Sequence, residues 1–269
     1  MKVRTVLAYI IVVVCIVLLV GSYLQWKYKL DSVKAPASSA VVDKKNASPA
    51  EAESDVKHST DNERLIGLTA NQDESVREVF GSRLEKGETL KFLLVGSESM
   101  DSGNPGYAER LRLALSSSYG DFVETTTVPF NGTSAKFIAE LNAGLVDFGA
   151  GYDVILFEPF TLNNNGEVSA EDGQQHIKVF HERLRSAVED SVLVLHPSNP
   201  IYNAVHYPKQ VNALQQFAKD EGISYVNTWL NWPDTDADEI KDLLDDKSMP
   251  NSDGAEVWAN SLITYFIAD

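Results

Sequence analysis

Five short apolar segments recur between residues 91 and 227, and a stretch with helical periodicity follows each of them. They are KFLLV at 91–95, FVETTTV at 122–128, DVILFE at 153–158, SVLVLH at 191–196 and ISYVN at 223–227. Near-continuous apolar strands that alternate with helices are typical of a parallel sheet covered on both faces. The pattern predicts an α/β fold, a doubly wound three-layer sandwich with a mainly parallel five-stranded sheet.

Amphipathic helices are predicted at both ends of this alternation. Before the first strand, Val76, Val79, Phe80 and Leu84 recur at the spacing of one helix face. The last helix, at 254–268, carries an apolar face that should pack on the sheet. We therefore expect the folded domain to cover 68–269.

The N-terminal region has a different character. After a short tail at 1–4, residues 5–26 contain no charged side chain. Twenty-two uncharged residues are long enough to cross a bilayer, and the segment lacks the short apolar core and small-residue cleavage site of a signal peptide. We expect an uncleaved transmembrane anchor. Residues 27–67 are polar, have no apolar period and are predicted to form a disordered tether.

The charge of the chain is strongly acidic and unevenly distributed. The formal net charge is −16, and residues 1–34 carry five Lys and Arg against Asp31, which leaves −20 on the remainder. Such a body should repel nucleic acid. The short tail, the single span and the large acidic body favour an extracytoplasmic domain held at the cell membrane.

Polar loops follow all five predicted strands. In a doubly wound sheet, ligands bind outside the carboxyl ends of the strands, so these loops should share one site. Their sequences are GSES at 96–99, PFNGTS at 129–134, PFTLNNN at 159–165, HPSNPIYNAVHYP at 196–208 and TWLNWPD at 228–234.

The order of these features resembles the SGNH, or GDSL-type, hydrolases over 90–269. The resemblance implies that a serine in the first turn attacks an ester carbonyl, while a glycine and an asparagine help to hold the oxyanion. Gly132 and Asn163 match those two positions, and Asn164 stands where the family often has aspartate. Both could equally be turn residues.

Two parts of the family pattern are altered. The nucleophile turn reads Gly-Ser-Glu-Ser instead of Gly-Asp-Ser, so the nucleophile is either Ser97 or Ser99, or is absent. The terminal Asp-x-x-His-Pro block reads DKSMP, with Met249 at the histidine position. Because a serine normally needs a neighbouring base and a thioether cannot take a proton, His196 or His206 would have to supply it. His196 could instead be a hydrogen-bonded structural residue, and His176 and His181 are predicted to lie on a helix at surface or partly buried positions.

Other kinds of site are not indicated. The chain lacks a P-loop, a G-x-G-x-x-G motif and Cys/His metal spacing, so we expect neither cofactor nor metal. Aromatic rings in the last two loops could stack on sugar rings or belong to the core: Tyr202, Tyr207, Trp229 and Trp232.

Two functions follow from the resemblance and the altered motifs. The first is a membrane-anchored, extracytoplasmic esterase or deacylase that acts on acyl esters of cell-envelope carbohydrate. The second is a catalytically inactive domain of the same fold that binds an envelope glycan or another partner. An esterase would require Ser97 or Ser99 to lie within hydrogen-bonding reach of a histidine.

Overall fold

The computed structural model describes residues 60–269. After a helical segment at 60–67, six α-helices and five strands follow one another through this part of the chain. The helices are α1 (Glu74–Lys86), α2 (Tyr107–Tyr119), α3 (Ser134–Leu141), α4 (Ala170–Ala187), α5 (Tyr207–Glu221) and α6 (Ser252–Phe266). The strands are β1 (Leu90–Ser97), β2 (Val123–Phe130), β3 (Val154–Phe157), β4 (Val192–Leu195) and β5 (Ser224–Tyr225).

All five strands are parallel and lie in the order β2-β1-β3-β4-β5. The chain runs outward from β1 to one edge and then through β3 to the other, as in doubly wound folds. This confirms the predicted fold class. It also places the carboxyl ends of the strands together along one edge of the sheet, which we call the carboxyl edge.

Two apolar layers cover the sheet because successive side chains of a strand face opposite sides. Phe92 and Leu94 of β1 belong to a core formed with α1, α2 and α6, whereas Leu93 and Val95 belong to a core formed with α3, α4 and α5. Buried aromatic residues dominate both layers: Phe80, Phe266 and Trp258 in the first, and Phe137, Phe157 and Phe180 in the second.

The first predicted helix corresponds to α1, which ends where the sequence suggests. Gly87 has φ +64, and its N–H lies at the carbonyl groups of Arg83 and Leu84, a left-handed helix end that glycine adopts without a steric cost. Val76, Phe80 and Leu84 are buried against the sheet, as their spacing predicts.

The start of the folded part differs from the prediction. Residues 60–67, assigned from sequence to the disordered tether, are helical. Leu65 is only 5% exposed and joins the core, and Arg64 donates a hydrogen bond to the carbonyl of Ser118 at 3.1 Å. A segment that buries one large apolar residue shows no apolar period. For this reason the sequence predicts too late a start, at 68, for the folded domain.

The predicted tail, anchor and remainder of the tether, residues 1–59, lie outside the described residues. Within 60–269, no helix has both the length and the apolar character needed to cross a membrane.

Candidate functional site at the carboxyl edge

The turn after β1 is closely packed against neighbouring residues at the carboxyl edge. Gly96 and Ser97 are the last residues of β1, and a short 3₁₀ helix, Glu98–Asp101, follows. A Cβ atom at Gly96 would lie 3.0 Å from the hydroxyl of Tyr107 and 3.2 Å from Cβ of Glu158. Close packing therefore favours glycine at this point, because a methyl group would need these neighbours to shift.

The two candidate nucleophiles have different surroundings. Ser97 is 1% exposed, and its N–H donates to Oε2 of Glu158 at 2.6 Å. Ser99 is 3% exposed, and its hydroxyl lies 3.5 Å from Sδ of Met249. Glu98, between them, is exposed. Ser99 is thus the serine that contacts residue 249, where the family pattern has histidine. The group beside its hydroxyl is a thioether.

A left-handed residue presents Met249 to this turn. Ser248 has φ +62, which non-glycine residues rarely adopt. Its carbonyl accepts a hydrogen bond from Nδ2 of Asn199 at 3.0 Å, and Oδ1 of Asp245 accepts the N–H of Met249 at 2.9 Å. These bonds fix the backbone on both sides of the thioether.

Neither candidate base meets a candidate nucleophile. His196 is fully buried and packs edge-on against Tyr107 and Trp258, with ring centroids 5.6 and 5.8 Å away, while those two rings stack on each other at 4.2 Å. His206 is exposed and precedes α5. Within the described chain, no hydrogen bond joins either histidine to Ser97 or Ser99, so the direct serine–histidine contact that an esterase would require is not present there.

The surroundings of His196 identify it as a structural residue. Nε1–H of Trp258 lies 3.3 Å from Nδ1, and the carbonyl oxygen of Pro197 lies 3.2 Å from the same nitrogen. Burial lowers the pKa of His196 to about 3, so the ring is neutral at physiological pH.

A buried carboxyl group joins the loops of the carboxyl edge. Glu158, immediately after β3, accepts from the N–H of Ser97 and from the hydroxyl of Ser198. Burial raises its pKa, while the hydrogen bonds from Ser198 and Ser97 oppose that rise. The β4 loop is fixed further because Oη of Tyr207 donates to the carbonyl of Ser198 at 3.0 Å.

The loops that carry Gly132 and Asn163 lie side by side. Oδ1 of Asn164 accepts the N–H of Ser134 at 2.9 Å, which connects the β2–α3 loop to the β3–α4 loop. Asn163 is half-buried, and its side chain makes no hydrogen bond to the described part of the chain. A Cβ atom at Gly132 would lie 2.9 Å from the ring of Phe130, so glycine also has a packing role. Their oxyanion roles stay predictions.

A different serine and histidine do meet. The hydroxyl of Ser134 lies 2.8 Å from Nδ1 of His176, and Ser134 is 1% exposed. The pair bridges the start of α3 to α4. His176 is half-buried, one of the two environments that the sequence predicts for it, and no motif indicates this contact.

The aromatic residues of the last two loops mainly serve the core. Tyr207 and Trp232 are 1% and 7% exposed, so they cannot act as sugar platforms and that interpretation is wrong for both. Trp229 is half-buried and donates to the carbonyl of Ser198 at 2.7 Å. The ring of Tyr202 is covered by Nζ of Lys241, 3.8 Å from its centroid.

Three residues that organise the carboxyl edge are not identified by sequence motifs: Glu158, Ser198 and Asn199. Their signal was polar residues directly after apolar strands, at 158 and 198–199. Between residues 60 and 269, no three His, Cys, Asp or Glu side chains are grouped as metal ligands.

Solved structures share this fold at low sequence identity. A protein from Desulfitobacterium hafniense DCB-2 described as lipolytic and of the G-D-S-L family is 18% identical, with a TM-score of 0.51, covering 65% of this chain and 98% of its own. A GDSL-like lipase from Parabacteroides merdae is 10% identical (TM-score 0.54, 66% and 95% covered). A carbohydrate esterase family 3 protein from Talaromyces cellulolyticus is 14% identical (TM-score 0.54, 65% and 94% covered).

Sequence comparisons add no closer relative, since no protein-family model and no curated protein matches the chain. The structural neighbours show that residues 60–269 have an SGNH-hydrolase-like fold, in agreement with the resemblance of the motifs.

Proposed function

We propose that this SGNH-like domain is a non-hydrolytic module that binds acylated carbohydrate of the cell envelope, held at the membrane by the segment 5–26. The contact between Ser99 and Met249 is the observation that carries the proposal. In a serine hydrolase, a base beside the hydroxyl takes its proton during attack. Here a thioether lies 3.5 Å from that hydroxyl. Sulfur of this kind is a weak acceptor and does not bind a proton at physiological pH.

The surroundings of both serines support the same conclusion. Ser97 and Ser99 are nearly inaccessible, and the N–H of Ser97 is already bonded to Glu158. An oxyanion donor must be free to point at the substrate oxygen. The turn therefore closes the edge as a structural loop.

Binding is supported by a free hydrogen-bonding group at the same edge. The side chain of Asn163 is half-buried and has no partner in the described chain. Sugars offer many donors and acceptors that such an amide can meet. The shared fold of the carbohydrate esterase family 3 protein adds a carbohydrate-directed example.

The hydrolytic and non-hydrolytic alternatives can be separated by kinetics. Full-length protein in mild detergent would be assayed on small acyl esters beside Ser97→Ala, Ser99→Ala and, as a matched control, Ser117→Ala on the exposed face of α2. We expect the same rate for all four proteins. A loss of hydrolysis in Ser97→Ala or Ser99→Ala, with Ser117→Ala unchanged, would establish an esterase and refute the proposal.

A further inference from the structure

The two outermost strands of the sheet differ in length. β5 forms one side with only two residues, whereas β2 forms the other with eight and pairs with β1 along its whole length. The outer side of such a strand carries unpaired N–H and C=O groups, and a short outermost strand is one of the ways in which proteins prevent pairing with other chains. β5 is protected in this way and β2 is not.

The outer side of β2 is open in the described part of the chain. β1 is the one strand there that pairs with β2, and no other hydrogen bond within residues 60–269 involves residues 124–130. Glu124, Thr127 and Pro129 are exposed. The outward N–H and C=O groups of β2 are therefore available to a further strand.

The middle of β2 has the composition of a strand that pairs readily. Between the charged Glu124 and Pro129, which has no N–H, residues 125–128 are three threonines and a valine. All four are β-branched, and strands favour β-branched residues. Threonines that lie opposite each other on adjacent strands also stabilise a sheet. These four uncharged residues are suited to the centre of a strand pairing.

We propose that the outer side of β2 binds the same side of β2 in a second copy of this chain, with the two strands antiparallel. The two sheets then join into one continuous sheet around a twofold axis perpendicular to it. Because this axis leaves each residue on its own face of the sheet, the pairing is centred on Thr126 or on Thr127. Glu124 then lies opposite Val128 or Phe130 of the second copy, so two like charges do not meet there.

The start of the described chain favours this arrangement over a parallel one. Residues 60–67 lie on the same face of the sheet as α2, because Leu65 belongs to that core and Arg64 donates to the carbonyl of Ser118 in α2. The perpendicular axis keeps both chain starts on one face of the joined sheet, which suits two copies held at one membrane by their segments 5–26. A parallel pairing would turn one copy over and place the two starts on opposite faces.

Antiparallel pairing also orients the two carboxyl edges. Since β2 ends at the carboxyl edge, the two edges point in opposite directions along the strand axis. The two candidate sites therefore face away from each other. The inference does not depend on the ligand that these sites bind.

Sedimentation equilibrium of the full-length protein in mild detergent tests the pairing. Thr127→Lys places a charge in the middle of β2, which opposes strand pairing, at a position that is exposed in the single chain. We expect a dimer whose dissociation constant rises at least tenfold in Thr127→Lys. The matched change Thr264→Lys, at an exposed position of α6, should leave it unchanged. A monomeric protein, or equal dimer affinity in the two lysine variants, would overturn the proposal.

Disulfide formation locates the contact independently of that charge. The experiment uses Cys15→Ser, which removes the sole native cysteine. In this background, Thr126→Cys or Thr127→Cys should give a disulfide-linked dimer on mild oxidation, because one of these residues faces its own copy across the axis. Thr264→Cys should stay unlinked. No link in either strand variant, or a link that forms as fast in Thr264→Cys, would contradict the pairing of β2 with its copy.

Discussion

At the scale of single residues, the identity of residue 249 determines whether the β1 turn can support hydrolysis. Met249 already lies in contact with the Ser99 hydroxyl, and its backbone is fixed by Asp245 and the left-handed Ser248. Met249→His would therefore place an imidazole next to Ser99. A positioned base typically contributes 10²- to 10⁴-fold, and we expect about a tenfold gain in ester hydrolysis because the surrounding loops are packed around a thioether and not around an imidazole.

The double variant and an apolar control make this prediction specific. Adding Ser99→Ala to Met249→His should return hydrolysis to the starting rate, and Met249→Leu should have no effect. An equal gain in Met249→Leu, or a gain that depends on Ser97 instead, would show that Ser99 and residue 249 do not form the reacting pair.

His196 predicts a pH dependence of stability. Its pKa is about 3 in the folded protein and roughly 6.5 when unfolded, so between these values the unfolded state binds a proton that the folded state does not. The stability contributed by His196 is therefore complete above pH 6.5 and is lost as pH falls towards 3.

His196→Asn keeps an acceptor for Trp258 and removes this titration. We expect the variant to be less stable than the original at pH 7, with the difference in unfolding free energy shrinking as pH falls to 4.5. Urea unfolding followed by tryptophan fluorescence measures both proteins. A difference that stays constant from pH 7 to 4.5 would contradict the assignment.

Residue roles were the part of the site least accessible from sequence. The replacement of the family histidine by Met249 was legible in DKSMP, and the structure places that residue at Ser99 as the resemblance implied. The location of the His196 side chain cannot be predicted from the sequence, because a histidine that ends an apolar strand can face the ligand or the core. Contacts with Tyr107 and Trp258, far away in the chain, decide between these alternatives.

At the scale of elements, close backbone packing joins the last helix to the preceding 3₁₀ helix, Asp238–Leu243. A Cβ atom at Gly254 would lie 2.1 Å from the carbonyl oxygen of Leu243, which no rotamer relieves. Gly254→Ala should therefore destabilise the protein by ~2 kcal/mol through overpacking. Gly81→Ala, whose methyl would lie 3.6 Å from Ile66, should stabilise it by ~0.5–1 kcal/mol.

Urea unfolding compares the two substitutions directly. Equal stability of Gly254→Ala and Gly81→Ala would mean that α6 is free to move away from the 3₁₀ helix, contrary to the packing described above.

The elements themselves were largely predictable because apolar periodicity reports burial. All five strands were located, and β1 extends through Gly96 and Ser97, two residues beyond its apolar run. Polar residues at a strand end carry no apolar signal, so the sequence places the strand end too early. The helical residues 60–67 were missed for the related reason that Leu65 alone anchors them.

At the scale of the whole molecule, the uncharged segment 5–26 and the acidic remainder predict the side of the membrane on which the folded body lies. We expect the body to lie outside the cell, so protease added to intact cells should release it while a cytoplasmic reporter protein stays whole. Complete protection of the body until the membrane is opened would reverse the proposed orientation.

We propose that this SGNH-like fold lacks a reactive serine. Full-length protein would be incubated with an activated serine-directed phosphonate, and any adduct would be located by mass spectrometry of its peptides. Because Met249 cannot take the proton of the Ser99 hydroxyl, we expect no adduct on Ser97 or Ser99. Stoichiometric modification of either serine would contradict it and establish a hydrolase.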